Sequence, residues 1–301
     1  MKAMVFQIIR TSLHDGDGVR TVVYLKGCSM WCRWCHNPEG QRFNSEILYY
    51  SSRCIGCGRC VLICPECHQV KSDGINFFRE LCIGCGKCTL VCPNEALVTC
   101  GREMDATQVL VEVMKDKLYY ERTGGGITLS GGECLLFPEF CRELIVACLK
   151  QGISAVIETG LHVPWKNIET VLPVTRTFIA DVKHGDDLLH TEYTGVDMIQ
   201  ILDNLDRLNC RHKDVRVRIP LIPGVNDGEW LEKIGARICF LNCKPKEVEL
   251  LRFNPASRGK YQALGKGCDP VLDRRSQTDE EMEKAAEILR YQLPDIKVFY
   301  K

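Results

Sequence analysis

Cysteine is the residue type that distinguishes this sequence, with 20 among its 301 residues. Two explanations compete: the disulfide framework of a secreted protein, and metal ligation in a reducing compartment. Disulfide scaffolds are usually short. This chain is long, its first residues have too short an apolar stretch for a signal peptide, and its cysteines cluster at ligand spacing. The sequence therefore predicts metal ligation in an anoxic, reducing cytoplasm.

The first cysteine group is Cys28, Cys32 and Cys35, which follows a strand-like stretch (21–26) with the spacing C-x3-C-x2-C. Three thiolates on one tight loop can ligate three irons of a [4Fe–4S] cluster and leave the fourth iron open. An open metal position is what a catalytic site needs. A Cys3His zinc site that includes His36 is the alternative, but adjacent side chains at 35 and 36 could hardly both reach one metal. We therefore expect a catalytic iron–sulfur cluster here.

The second cysteine group is an internal repeat in residues 49–100, with two copies of C-x2-C-x2-C-x3-C-P. This pattern is typical of bacterial two-cluster ferredoxins, in which the fourth cysteine of each run ligates the other cluster. Two zinc sites are the alternative, and the spacing disfavours them. The predicted ligand sets are Cys54, Cys57, Cys60 and Cys92 for one [4Fe–4S] cluster, and Cys82, Cys85, Cys88 and Cys64 for the other.

The remaining cysteines have no ligand spacing, and we expect them to be buried, inert thiols. They are Cys67, Cys100, Cys134, Cys141, Cys148, Cys210, Cys239, Cys243 and Cys268.

Strand-like and helix-like stretches alternate along the rest of the chain, which predicts an α/β fold with a parallel sheet. The strand candidates are rich in apolar residues, as buried parallel strands are: 21–26, 126–129, 155–158, 177–182, 215–222, 248–253 and a final 296–300. The helix candidates repeat apolar residues every three or four positions: 107–120, 139–150, 198–208, 229–241 and 278–290. The expected division is residues 1–48 and 101–301 as one α/β unit, with 49–100 as a small domain inserted into its first crossover.

Charge and hydropathy exclude two classes of partner. The chain has 39 basic and 39 acidic residues, so no basic excess suggests nucleic acid. No apolar run reaches the roughly 18 residues of a membrane span.

Five further segments extend the first cysteine motif: 14–39 (HDGDGVRTVVYLKGCSMWCRWCHNPE), 123–133 (TGGGITLSGGE), 158–160 (ETG), 181–183 (DVK) and 217–227 (VRIPLIPGVND). With them the chain resembles the radical S-adenosylmethionine superfamily, and within it the activating enzymes of glycyl radical enzymes that carry a two-cluster ferredoxin-like insert. The resemblance implies an oxidoreductase with a partial (β/α)6 TIM-like barrel, three [4Fe–4S] clusters and S-adenosyl-L-methionine.

The resemblance also implies roles for individual residues. Gly131, Gly132 and Glu133 receive the methionine amine of the cofactor. In the DVK motif of Asp181, Val182 and Lys183, the lysine pairs with the cofactor's carboxylate, and Asp181 with Glu158 and Thr159 approaches the cofactor or a monovalent cation. Trp34, Cys35, His36 and Asn37 border the adenine, although core packing is an alternative for Trp34. Asp15 and Arg218 match positions near the access path of a substrate glycine loop, and Asn254 stands where relatives commonly have histidine. The chain departs from the family at Asp17 and Cys134, where proline is usual.

The implied function is reductive cleavage of S-adenosylmethionine and abstraction of a hydrogen from a backbone glycine of a partner glycyl radical enzyme. The repeat then suggests an electron relay from a flavodoxin or a ferredoxin-type reductant. One alternative is a radical enzyme that acts on another protein or on a small molecule. Such enzymes often carry cysteine-rich C-terminal extensions, whereas here the extra cysteines follow the first motif directly. A pure electron carrier is disfavoured by the GGE and DVK motifs.

Overall fold

The computed structural model describes residues 1–301 and contains thirteen strands and ten α-helices. The strands are β1 (Lys2–Ser12), β2 (Arg20–Leu25), β3 (Glu46–Tyr49), β4 (His68–Lys71), β5 (Gly74–Phe77), β6 (Leu97–Cys100), β7 (Arg102–Asp105), β8 (Gly126–Gly131), β9 (Ser154–Thr159), β10 (Thr177–Asp181), β11 (Val215–Leu221), β12 (Glu247–Arg252) and β13 (Lys297–Tyr300). The helices are α1 (Arg59–Ile63), α2 (Ala106–Met114), α3 (Lys117–Thr123), α4 (Pro138–Leu149), α5 (Trp165–Val171), α6 (Asp187–Thr194), α7 (Ile199–Arg211), α8 (Glu229–Cys239), α9 (Arg258–Ala263) and α10 (Asp279–Gln292). None of these helices is long and apolar enough to cross a bilayer.

The central element is a nine-stranded sheet with the order β13-β12-β11-β10-β9-β8-β2-β1-β7. Seven of these strands pair in parallel, namely β2, β8, β9, β10, β11, β12 and β13. At the other edge, β1 runs antiparallel to β2, and β7 runs antiparallel to β1. The predicted α/β fold with a parallel sheet is confirmed. The sequence prediction missed β1 and β7, which extend one edge beyond the parallel strands.

The helices lie close to their predicted positions. The candidate at 107–120 is two helices, α2 and α3, which are separated by a break around Asp116. The Asp116 carboxylate accepts hydrogen bonds from Arg10 and Thr21, which fixes the chain at this break. The predicted capping box is present at the start of α10, with reciprocal bonds between Thr278 and Glu281. Short helices such as α5 and α6 lacked enough periodic residues to be predicted.

The main core contains 49 buried residues, from both faces of the parallel strands and the inner faces of the helices. Parallel strands covered on both faces expose few positions, and β8, β9 and β10 are accordingly almost continuously buried. The charged side chains of these strands, Glu158 and Asp181, therefore lie near the strand ends, and the polar Thr128 inside β8 is paired with Arg20.

The cysteine-rich segment lies between β2 and β8 in the chain and forms two small antiparallel pairs, β3 with β6 and β4 with β5. Its small core includes Cys60 and Cys88, packed with Ile47, Ile75 and Leu97. A buried ion pair joins the segment to the end of β2: Lys26 Nζ lies 2.9 Å from Glu46 and donates to the Glu39 carbonyl at 2.6 Å.

The cysteines outside the ligand sets are not all buried thiols. Five of them are: Cys67, Cys100, Cys134, Cys141 and Cys148. Cys210 at the end of α7 and Cys243 after α8 instead form a disulfide, and Cys239 is exposed. The prediction was wrong for Cys210, Cys239 and Cys243, because the ends of α7 and α8 meet at the surface rather than in the core, and Cys268 is half-buried.

Candidate active site

One cavity of about 490 Å³ lies at the carboxyl ends of the parallel strands. A cavity of this size suits a nucleotide-sized ligand. The predicted site residues that line it are Asp15, Cys28, Cys32, Trp34, Cys35, His36, Asn37, Gly131, Gly132, Glu133, Glu158, Thr159, Asp181, Lys183, Arg218 and Asn254. The exception is Val182, which is buried in the main core, because side chains alternate along an extended strand and place it opposite Asp181 and Lys183.

The loop that carries Cys28, Cys32 and Cys35 follows directly from β2 and is fixed by backbone hydrogen bonds on both sides. Cys28 N donates to Gln41 O at 3.1 Å, and Trp31 N donates to Thr194 O at 2.8 Å. The three thiols are half-buried in the cavity. Burial raises the pKa of the Cys35 thiol to about 12.

The donor chemistry of this loop fits an iron–sulfur cluster. No three His, Cys, Asp or Glu side chains of the chain converge on the position of a single ion. The loop instead offers three thiols that face a cavity large enough for a cluster and a second ligand. Thiolates are the preferred ligands of iron–sulfur clusters, and a set of three leaves one iron open to that ligand.

Gly131 and Gly132 lie where the end of β8 meets the cysteine loop. A Cβ on Gly132 would lie 2.3 Å from Gly27 O and 2.4 Å from Gly40 O, and one on Gly131 would lie 2.2 Å from Leu25 O. The absence of side chains therefore lets the chain's own backbones approach each other. This contact sets the position of the cysteine loop relative to β8.

Glu133 is a buried carboxylate at the wall of the cavity. It accepts hydrogen bonds from the backbone amides of Leu135 and Gly160, at 3.1 and 2.8 Å, and from the Thr159 hydroxyl. Burial raises its pKa to about 7, because these neutral donors only partly replace water. Its hydrogen-bond partners include no cation, so a cationic amine in the cavity would meet a complementary charge.

Asp181 and Lys183 form an ion pair of 2.7 Å at the end of β10, and both line the cavity. Although burial alone would lower the pKa of Lys183, the adjacent Asp181 carboxylate raises it above its usual value. The lysine is therefore a fixed cation at the cavity wall on the side of Cys32.

Arg218 is buried between two carboxylates, with Glu158 at 2.5 Å and Glu249 at 2.8 Å, and it also donates to His14 O. Burial raises the pKa of Glu158 to about 7, while Arg218 opposes that shift. Arg218 therefore ties β9, β11 and β12 to the loop before β2. Glu249 was missed by the sequence analysis, although a carboxylate inside the apolar stretch 248–253 was a usable signal.

The access-path residues and the departures from the family each have a local partner. The Asp15 carboxylate accepts from Ser12, and the Asp17 carboxylate binds both terminal nitrogens of Arg216, at 2.9 and 2.6 Å. Asn254 accepts from the Ala256 amide at 2.9 Å and begins a short 3-10 helix. Cys134 donates its thiol to the Glu158 carbonyl at 3.4 Å.

Trp34 is buried in a small second core with Phe253 and Tyr261, and it also lines the cavity. The two interpretations of Trp34 are therefore compatible. Other lining residues, such as Tyr24, Met30 and Phe253, were assigned no role from the sequence. Phe253 directly precedes the predicted residue Asn254, and that adjacency was the available signal.

In the cysteine-rich segment, Cys54, Cys57 and Cys60 share a small cavity with Cys92 from the second run. This grouping matches the crossed ligand set expected from the repeat. The exposed Cys57 and Cys85 occupy equivalent places in the two runs.

Comparisons with known proteins agree with this geometry. Residues 53–97 match a family described as a 4Fe-4S dicluster domain. The chain is 38% identical over 272 residues to the (2S)-3-sulfopropanediol dehydratase activating enzyme of Klebsiella oxytoca, a match that covers 87% of this chain and 85% of the relative. It is 36% identical over 303 residues to the choline trimethylamine-lyase activating enzyme of Oleidesulfovibrio alaskensis, which covers 97% of each.

The chain belongs to the activating enzymes of glycyl radical enzymes. This places it among the radical S-adenosylmethionine enzymes. Its fold is also similar to that of a radical SAM methyltransferase from Sphaerobacter thermophilus, with a TM-score of 0.57 and 14% identity over 98% of this chain and 76% of the other. As an activating enzyme it is an iron–sulfur protein that uses S-adenosylmethionine.

Proposed function

We propose that this activating enzyme binds S-adenosylmethionine on a [4Fe–4S] cluster held by Cys28, Cys32 and Cys35, and removes a hydrogen atom from a backbone glycine of a partner glycyl radical enzyme. The observation that carries the proposal is the convergence of the three thiols with residues from five separate strand ends around one cavity. The bound cluster and cofactor supply one-electron, hydrogen-abstracting chemistry.

The chain's own residues position the reactants. Lys183, held by Asp181, pairs with the carboxylate of the cofactor, and Glu133 accepts its amine. The segment from Trp34 to Asn37 borders the adenine; it is held in place by Lys260, which donates to Asn37 at 2.7 Å.

Three further residues complete the proposed site. Glu158 and Thr159 lie beside Asp181, where a monovalent cation would find oxygen ligands. Asp15, on the loop that Arg218 fixes, faces the access path of the partner's glycine loop. On this side the cavity is lined by charged side chains, including Asp15 and Arg218, which suits a backbone segment of the partner that must enter and leave.

We also propose the finer architecture that the resemblance implies. Residues 1–48 and 101–301 form a partial (β/α)6 TIM-like barrel, and 49–100 form a bacterial-ferredoxin-like insert with two further [4Fe–4S] clusters, three in all. These clusters relay electrons from a flavodoxin or a ferredoxin-type protein to the catalytic cluster. The cysteine content is best suited to a reducing cytoplasm.

The proposal is tested by anaerobic reconstitution of the clusters, followed by electron paramagnetic resonance with S-adenosylmethionine, a reductant and candidate glycyl radical enzymes. A glycyl doublet on one candidate is expected, and the Cys32→Ala variant is the matched control that should give none. Cofactor cleavage without a doublet on any candidate would favour a radical enzyme that acts on another protein or a small molecule.

A further inference from the structure

The two cysteine runs of the insert differ in what they face. We call Cys82–Cys88 with Cys64 the proximal lobe. A Cβ on Gly84 would lie 2.2 Å from Ser45 O, next to the residue that pairs with Lys26 at the start of the catalytic loop. Just before this lobe, Arg79 donates to Ala263 O at 2.6 Å, on α9 of the α/β unit. The proximal lobe therefore packs towards the catalytic cavity.

We call Arg53–Cys60 with Cys92–Leu97 the distal lobe, which contacts the hairpin formed by β4 and β5 of the insert. Within it, Gly56 faces Gly74 on β5, and a Cβ on Gly58 would lie 3.3 Å from the side chain of Val70 on β4, so both contacts stay inside the insert. Ile55 is 62% exposed, and Cys57 is exposed beside it. A cluster in this lobe would lie close to solvent, on the side away from Lys26.

The charged residues that line the cavity of the distal lobe are both basic. Of the fourteen residues that line the distal cavity, Arg53 and Arg59 are the charged ones, and both side chains are exposed. Neither arginine forms an ion pair; Arg53 instead stacks on the Tyr50 ring at 4.4 Å. The distal lobe also carries the exposed Glu95, which lies outside this cavity, whereas the proximal lobe carries the exposed Lys87 near Ile83 and has the Glu66 carboxylate 4.0 Å from Cys64 Sγ.

We propose that the distal lobe is the docking surface for an acidic one-electron carrier protein, and that electrons enter the enzyme there and leave through the proximal lobe. The inference rests on the relay in the proposed function. Two unpaired cations around an exposed apolar side chain form a small basic patch with an apolar centre, which complements an acidic carrier and steers its approach. In each step the carrier loses one electron and the distal cluster gains one.

The test compares Arg53→Glu/Arg59→Glu with Lys87→Glu, because Arg59 and Lys87 occupy the same position in the two copies of the repeat. The probe is flavodoxin in its hydroquinone form, and the readout is stopped-flow bleaching of the insert's clusters in the fully reconstituted protein. The double variant should be reduced about tenfold more slowly at low salt, and this difference should disappear at high salt. Lys87→Glu should stay close to the wild-type rate.

Two controls separate docking from other effects. Iron content and the reduction rate with photoreduced deazaflavin, a small donor without a docking surface, should be the same in all variants. Equal slowing by Lys87→Glu, or no slowing in the double variant, would overturn the proposal. Loss of glycyl radical enzyme binding with unchanged flavodoxin reduction would assign the surface to that partner instead.

Failure of the relay would be visible separately. Because the stopped-flow signal comes from the insert's own clusters, it does not depend on onward transfer. If Cys57→Ala leaves flavodoxin-driven reduction of the catalytic cluster unchanged, the relay is wrong, whatever the docking result.

Discussion

Replacing Gly132 by alanine should disable the site through a backbone contact rather than through lost chemistry. The new Cβ would lie 2.3 Å from Gly27 O and 2.4 Å from Gly40 O, whereas ordinary contacts begin at 3.4 Å. Each carbonyl must therefore retreat by about 1 Å. Neither can yield as a flexible side chain would, because Gly27 N and Gly40 O are themselves joined by a hydrogen bond of 2.8 Å.

The expected effect follows from where those carbonyls lie. Gly27 directly precedes Cys28, so a shift of about 1 Å displaces the cysteine loop from the end of β8. A misplacement of that size can cost about 100-fold in rate. Overpacking adds about 1–3 kcal/mol of destabilisation. We therefore expect Gly132→Ala to fold and to lose about 100-fold in S-adenosylmethionine cleavage.

The assay is the rate of 5′-deoxyadenosine formation at saturating cofactor and reductant, with iron content measured on the same sample. Gly259→Ala is the matched control, because a Cβ at that helical position meets nothing within 4 Å. It should leave the rate unchanged. If Gly132→Ala retained its iron and cleaved the cofactor at the wild-type rate, the argument that this backbone contact positions the site would be refuted.

Three further predictions concern the clusters, a buried carboxylate and the joint to the insert. Cys92→Ser should change the spectrum of the same cluster that Cys57→Ser changes, and not of the cluster that Cys85→Ser changes, because Cys92 lies in the cavity of the first run. Redox titrations of the three variants, followed by electron paramagnetic resonance, check this. The raised pKa of Glu133 stabilises the fold below pH 4.5, and that stability is lost as pH rises through about 7. The unfolding free energy of Glu133→Gln relative to wild type, measured without S-adenosylmethionine, should therefore rise by roughly 3 kcal/mol across that window, and a flat difference would contradict the shift. Lys26→Met removes the buried cation from Glu46 and leaves the exposed Arg42, at 3.4 Å, as its remaining partner, so it should destabilise this joint by about 1–3 kcal/mol; unchanged hydrogen exchange of the β3 amides would contradict that.

Much of the site could be predicted because its residues lie on short motifs at strand ends. Asp181 and Lys183 alternate with a core residue, so the same pattern that placed them in the cavity also explains why Val182 is absent from it. Cys92 could be predicted as the fourth ligand of the first cysteine run for a similar reason, because the repeat itself defines which cysteine is fourth.

The remainder depends on contacts between distant segments. Lys26 looked like the last residue of a strand, and only the folded chain shows its buried pairing with Glu46. The disulfide between Cys210 and Cys243 needed the relative position of two helix ends, which spacing does not contain. The packing role of Gly132 could not be predicted either, because its close approach to Gly27 and Gly40 depends on how the cysteine loop folds back on β8.

In the proposed function, the enzyme takes a hydrogen atom from a glycine of its partner. This step is tested most directly by supplying the partner glycyl radical enzyme with its glycines deuterated at Cα, and measuring the isotope content of the 5′-deoxyadenosine formed in a single turnover. One deuterium is expected in the nucleoside, together with a glycyl signal on the partner. Unlabelled 5′-deoxyadenosine formed in step with that signal would contradict it.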